Sequence, residues 1–213
     1  MTTDNRSAKP LDRKRRSYWL KTLHQWHWIS SAVCLVAMLG FAITGITLNH
    51  AASIPAEPVI TTKKTTLPAT LLPSLEKPAS DKAPLPENIS EWIAENTSAN
   101  VSGIAGEWSE DEIYFALPRA GGDAWLSIDR ATGAVEYELT DRGWVSYFND
   151  LHKGRNTGSA WTWFIDVFAI ACVIFAGTGL FLLQLHSRHR PGTWPVVALG
   201  LLIPVVLIIL FIH

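Results

Sequence analysis

Three apolar blocks, residues 29–48, 160–185 and 194–212, constrain this chain more than any other feature of its sequence. The hydrocarbon core of a bilayer is about 30 Å thick, so a helix rising about 1.5 Å per residue needs roughly 20 apolar residues to cross it. Each block reaches that length, and Asp166 is the one charged residue inside them. Trp26, Trp28, Trp161, Trp163 and Trp194 stand at the block ends, where indole rings favour the headgroup level. The sequence therefore predicts a membrane protein with three spanning helices. At 213 residues the chain is long enough for one globular domain, but with its apolar residues gathered in blocks around a polar middle, a single core is not expected.

Charge sets the expected orientation. Arg6, Lys9, Arg13, Lys14, Arg15, Arg16 and Lys21 precede the first block against Asp4 and Asp12, and Arg188 and Arg190 lie between the second and third. The positive-inside rule puts those stretches in the cytoplasm. Residues 51–159 then fall on the other side; they carry 9 Lys and Arg against 16 Asp and Glu, a net of -7 hidden within the overall -1. The first block is longer than a typical signal-peptide core and "NHAASIPA" is a poor cleavage site, so it reads as a retained anchor. Cys34 and Cys172 both fall within spans and read as small apolar residues without a disulfide framework.

The expected architecture is a three-helix transmembrane bundle with a small α+β extracytoplasmic domain inserted between helices 1 and 2. A basic cytoplasmic tail (1–22), disordered to about Arg16, leads into helix 1 (23–50). Residues 51–86 contain Pro55, Pro58, Pro68, Pro73, Pro78, Pro84 and Pro86 and read as a linker. In 87–142, "ENISEWIAENT" has helical spacing and ends near Asn100 or Gly103. "VSGIAGEW", "EIYFALP", "AWLSIDR" and "GAVEYEL" have strand composition separated by turn residues. A helix on a small antiparallel sheet follows, near the lower size limit for an independent core, so packing on a homo-oligomeric copy or on the membrane portion would help. Trp144, Tyr147, Phe148 and Leu151 form an amphipathic stripe in an interfacial segment (143–159). Helix 2 (160–186), a cytoplasmic loop (187–193) and helix 3 (194–213) complete the chain.

"FAITGITL" in the first span repeats as "FAGTGLFL" in the second, aligning Phe41, Ala42, Thr44 and Gly45 with Phe175, Ala176, Thr178 and Gly179. Consecutive spans run in opposite directions, so the repeat is inverted. The histidines follow it: His24, His27, His186 and His189 belong to the cytoplasmic side, His50, His152 and His213 to the other. Neutral imidazole is a strong axial ligand for haem iron, and paired histidines at each face would hold two b-type haems between helices. On this reading His50 and His152 bind the outer haem, and His24 or His27 with His186 the inner one. Helix rise alone separates His27 from His50 by about 35 Å, too far for one porphyrin. Without C-x-x-C-H, the haem is non-covalent. For the Thr-Gly pairs, helix packing is the favoured reading.

Other chemistries lack their residues. Closely spaced zinc ligands, a nucleophile constellation, a phosphate loop and a dinucleotide fingerprint are all missing from the sequence, and no nucleic-acid partner is expected. Asp166 could orient a histidine, carry a proton or cap near the interface. Lys153 and Arg155 could pair with haem propionates or simply snorkel.

"LHQWHWISSAVCLVAMLGFAITGITLNH", "WLSIDRATGAVEYEL" and "LHKGRNTGSAWTWFIDVFA" together resemble the PepSY-associated transmembrane helix family, in a short three-span form with a PepSY-like periplasmic domain. Larger relatives of that kind are inner-membrane haem-containing siderophore-iron reductases that bind two haems through histidines. The resemblance implies His24, His50, His152 and His186 as ligands, a ferric or siderophore reductase or a subunit of one, and ferric siderophore as acceptor. A cytoplasmic donor or membrane quinol would supply electrons. Three spans in place of four leave the second wall of each haem pocket unassigned. The competing reading is a membrane-anchored accessory protein without enzymatic activity, whose PepSY-like domain binds a periplasmic partner or peptide.

Overall fold

The computed structural model describes residues 10–55, 57–76, 78–187 and 190–212, with side chains from residue 14. His189 and His213 lie outside the described residues. The chain divides into two compact units, one from residues up to 40 and from 164 onward, the other from residues 41–163.

The first unit is helical. α1 (Pro10–Asn49) begins well before the apolar block, so the expected disordered tail is helical from Pro10. Proline suits a first turn, and the following "LDRKRRSYWLKTL" contains neither glycine nor a further proline. α4 (Ser159–His186) and α5 (Thr193–Phe211) supply the other two helices long and apolar enough to cross a membrane; α2 and α3 belong to the second unit. Almost nothing in these helices is buried by protein, as expected where lipid is the solvent. Cys34 and Cys172 are free thiols.

The second unit is built on a six-stranded antiparallel sheet in the order β1-β6-β5-β4-β3-β2. β3 (Ala105–Trp108), β4 (Glu112–Ala116), β5 (Gly122–Asp129) and β6 (Ala134–Asp141) fall in the four expected runs. Alternation sends Ile113, Phe115, Leu126, Ile128 and Val135 into the core, where α2 (Glu87–Thr97) adds Ile89 and Ile93. α2 stops at Thr97, earlier than expected, because Ser98 adopts the left-handed conformation (φ 71°) and donates its N–H to the Ala94 carbonyl.

The stretch 51–86 is a correction: it is part of the fold and not a linker. β1 (Val59–Thr66) pairs with β6 along its whole length, and β2 (Lys82–Pro84) pairs with β3. The prolines flank "VITTKKTT" without entering it, and this β-branched run zips onto an edge that a proline would have broken. Leu67 and Leu75 from the same stretch join the core.

"DRATG" is a structural clasp. Asp129 Oδ1 accepts from Ala131 N (3.0 Å), Thr132 N (2.7 Å) and Thr132 Oγ1 (2.8 Å), and Gly133 turns the chain at φ 72°. Arg130 donates to the carbonyls of Leu75, Ser109 and Glu110 and lies over the Trp108 ring. The Thr132 backbone and hydroxyl bonds hold the Asp129 carboxyl below its ordinary value. Its contribution is therefore present above the ordinary carboxylate range and is lost as pH falls through the depressed value. Asp129→Ala should speed hydrogen exchange at Ala131, Thr132 and Gly133 at neutral pH, and acidification should weaken the unaltered turn but add nothing to the variant.

α3 (Gly143–Lys153) is amphipathic as expected, with Trp144, Tyr147 and Phe148 exposed and in mutual ring contact. Its buried Asp150 accepts from Gly121 N (2.9 Å), fastening the helix to the β4–β5 hairpin. Asp150 also pairs with Arg155 at 2.7 Å, so Arg155 is engaged within the domain.

Candidate functional site

Each copy of the F-A-x-T-G repeat holds one histidine. In the helical unit His27 of α1 meets α4. Its Nδ1 lies 3.1 Å from Thr178 Oγ1 and 3.2 Å from the Phe175 carbonyl, and its ring stacks on Phe175 with centroids 4.7 Å apart. A Cβ added at Gly179 would come within 3.3 Å of His27 Cε1, so glycine gives the imidazole its seat.

The sheet-bearing unit repeats this with the other copy. His152, in the last turn of α3, places Nδ1 2.7 Å from Thr44 Oγ1, and its ring lies 5.0 Å from that of Phe41. A Cβ at Gly45 would stand 3.5 Å from His152 Cε1. The neighbouring turn is anchored by Thr47 to Asn149 Oδ1 (2.8 Å) and by Trp161 Nε1 to the Leu151 carbonyl (2.9 Å). Phenylalanine, threonine and glycine at positions 1, 4 and 5 fall on one helix face, since residues three and four apart are neighbours.

The other candidates are placed differently. His24 is exposed and donates Nδ1–H to its own helix at the Leu20 carbonyl (2.8 Å). His186 does the same to Leu182 (2.8 Å), and with His27 it lines an apolar cavity of about 660 Å³, together with Phe175, Gly179, Leu183 and Arg190. His50 is exposed at the end of α1 and makes no hydrogen bond or ring contact with His152 among the described residues. Asp166 is exposed and bonds no histidine among the described residues. No group of three or more His, Cys, Asp or Glu among the described residues could hold a metal ion.

Of these groups, His27, His186 and Arg190 line one cavity and are the residues that could hold a cofactor there. A cavity of this size is within the range of cofactor sites. It offers two imidazoles, an apolar lining from Phe175, Leu180 and Leu183 and, at Arg190, a cation for a carboxylate. Threonine as a partner of the histidine, and Arg190 as a cavity residue, were not legible in the sequence; the repeat itself was the available signal for the first.

Three apolar helices, a six-stranded antiparallel sheet and a histidine held by each half of an internal repeat define a membrane protein with an α+β domain. The chain belongs to the PepSY_TM-like family, whose model matches residues 18–213. Comparison with curated proteins gives no match, and comparison with solved structures gives none either.

Proposed function

We propose that this chain is an inner-membrane haem b protein that relays electrons across the bilayer, with residues 51–159 periplasmic and ferric iron or a ferric siderophore as acceptor. The observation that carries the reading is the duplicated histidine seat: each copy of the repeat holds one histidine, His27 or His152, with the same three residue types. Bound iron porphyrin supplies a one-electron couple at each site.

The residues of the chain do the rest. His27 and His152 present imidazole nitrogen, with His186 the second imidazole beside His27. Phe175 and Phe41 back the rings and keep water from them. Arg190 offers a charge partner to a propionate at the His27 cavity, and the basic residues before the first apolar block keep that end cytoplasmic. With no flavin or nicotinamide fingerprint in the sequence, electrons come from a quinol or a cytoplasmic donor. A second copy of the chain can close the open side of each site.

The test is the absorption spectrum of the full chain purified in detergent from haem-replete cells. A Soret band that shifts on reduction with dithionite is expected. Protein without that band overturns the haem reading and leaves the anchored binding domain as the function.

A further inference from the structure

We propose that Thr44 is a positioning residue that sets the tautomer of His152, and that Thr178 supports the Phe175 carbonyl in setting that of His27, each keeping the proton on Nδ1 and leaving Nε2 as the ligand nitrogen. The role of Nε2 rests on the haem reading above; the tautomer rests on hydrogen-bond geometry alone.

At His27 the geometry is decisive. The Phe175 carbonyl 3.2 Å from Nδ1 can only accept, so Nδ1 carries a proton. Thr178 agrees with it, because its one hydroxyl proton goes to the helix backbone, where the Ile174 (2.7 Å) and Phe175 (3.0 Å) carbonyls are in reach, leaving a lone pair toward Nδ1 at 3.1 Å. At His152 threonine does the work: Thr44 Oγ1 lies 3.1 Å from the Phe41 carbonyl, to which its hydroxyl donates, and 2.7 Å from His152 Nδ1. With the hydroxyl proton on the carbonyl, the oxygen is left to accept from Nδ1, which is the direction the proposal assigns. A hydroxyl can ordinarily donate or accept, and spending its proton on its own helix removes the choice.

Each glycine completes the seat. The Nδ1–Cε1 edge of the ring lies against Gly179 in one site, and Cε1 lies against Gly45 in the other. A neutral imidazole of the wrong tautomer would present N–H to the iron, so the hydrogen bond made by the other nitrogen decides whether the ring can ligate at all. Helix back-bonding by threonine is common in membranes; here the same bond polarises the oxygen for a second task. The repeat thus duplicates a tautomer clamp as well as a packing face.

The test uses the full chain, labelled with 15N-histidine and held without haem in lipid nanodiscs at a pH of about 8.5, above the ordinary imidazole range. His27 and His152 should both show a protonated Nδ1 and an unprotonated Nε2. Thr44→Val should convert His152 to a mixture of tautomers while His27 keeps its signal, and Thr44→Ser should restore the single form. Thr178→Val should act more weakly, since the Phe175 carbonyl still accepts. On reconstitution, Thr44→Val should weaken haem binding at its site by about 10- to 100-fold, as outer-shell partners typically do, and Thr44→Ser should recover it. A His152 that stays entirely Nδ1-protonated in Thr44→Val, or that serine fails to rescue, overturns the proposal. Tautomers that respond as described in a chain that never takes up haem support the clamp and sink the haem reading alone.

Discussion

Alanine at both His27 and His152 should abolish the Soret band of the full chain, and either single change should remove about half of it, because the proposed function assigns one haem to each seat. His24→Ala and His50→Ala should leave most of the band in place. The family resemblance implies His24, His50, His152 and His186; of these the contacts hold His152, and they favour His27 over His24. His24 spends Nδ1 on its own helix and is exposed, and His50 is exposed and makes no side-chain hydrogen bond or ring contact with a seat residue among the described residues. His27 and His152 are half-buried and each is held by a threonine and a phenylalanine. Haem content per chain, measured by pyridine haemochrome against protein concentration, reads the result. A band lost with His24 and kept without His27 would reject this ligand set.

Phe115→Ala should strongly destabilise the sheet-bearing domain. Phe115 heads the fully buried side chains, at 1% exposure, and its ring occupies the space over Gly106 on the adjacent strand, where any Cβ would collide with it. It pairs with Leu126 across β4 and β5 and sits among Ile113, Ile128 and Ile89. Truncating a buried phenylalanine costs about 3–5 kcal/mol, while a whole domain is stable by only about 5–15 kcal/mol. Hydrogen exchange of β4 and β5 in the full chain should accelerate by roughly 10²- to 10⁴-fold, the factor that cost implies. Exposed Tyr114, one residue earlier and facing the other way, is the control: Tyr114→Ala should change exchange little.

Much of the architecture was legible. Spans can be read from composition over a window, and the four central strands from period-two alternation between turn residues, as in "AWLSIDR" and its inward Leu126 and Ile128. β1 was hidden because the prolines around it dominate the composition of 51–86, although "VITTKKTT" contains none. Its strand state depends on pairing with β6, sixty-eight or more residues further along, and non-local pairing leaves little local signature. The helical start at Pro10 was masked in the same way by a run of charges, which helices tolerate well.

The candidate site divides along the same line. The repeat, the histidines and their spacing are properties of the sequence, and so is the membrane class, because a helix in lipid must be apolar along its whole spanning length whatever its neighbours are. Which histidine meets which helix is set by the rotation and register of two helices against each other, and no single helix encodes that. His24 and His27 are three residues apart and nearly equivalent as sequence, yet His27 alone reaches Phe175 and Thr178. The threonines likewise read as packing residues until a ring from another element lies 2.7 Å and 3.1 Å from their oxygens. Local chemistry determined that this chain would enter a membrane with imidazoles to offer; only tertiary packing decided which of them are held.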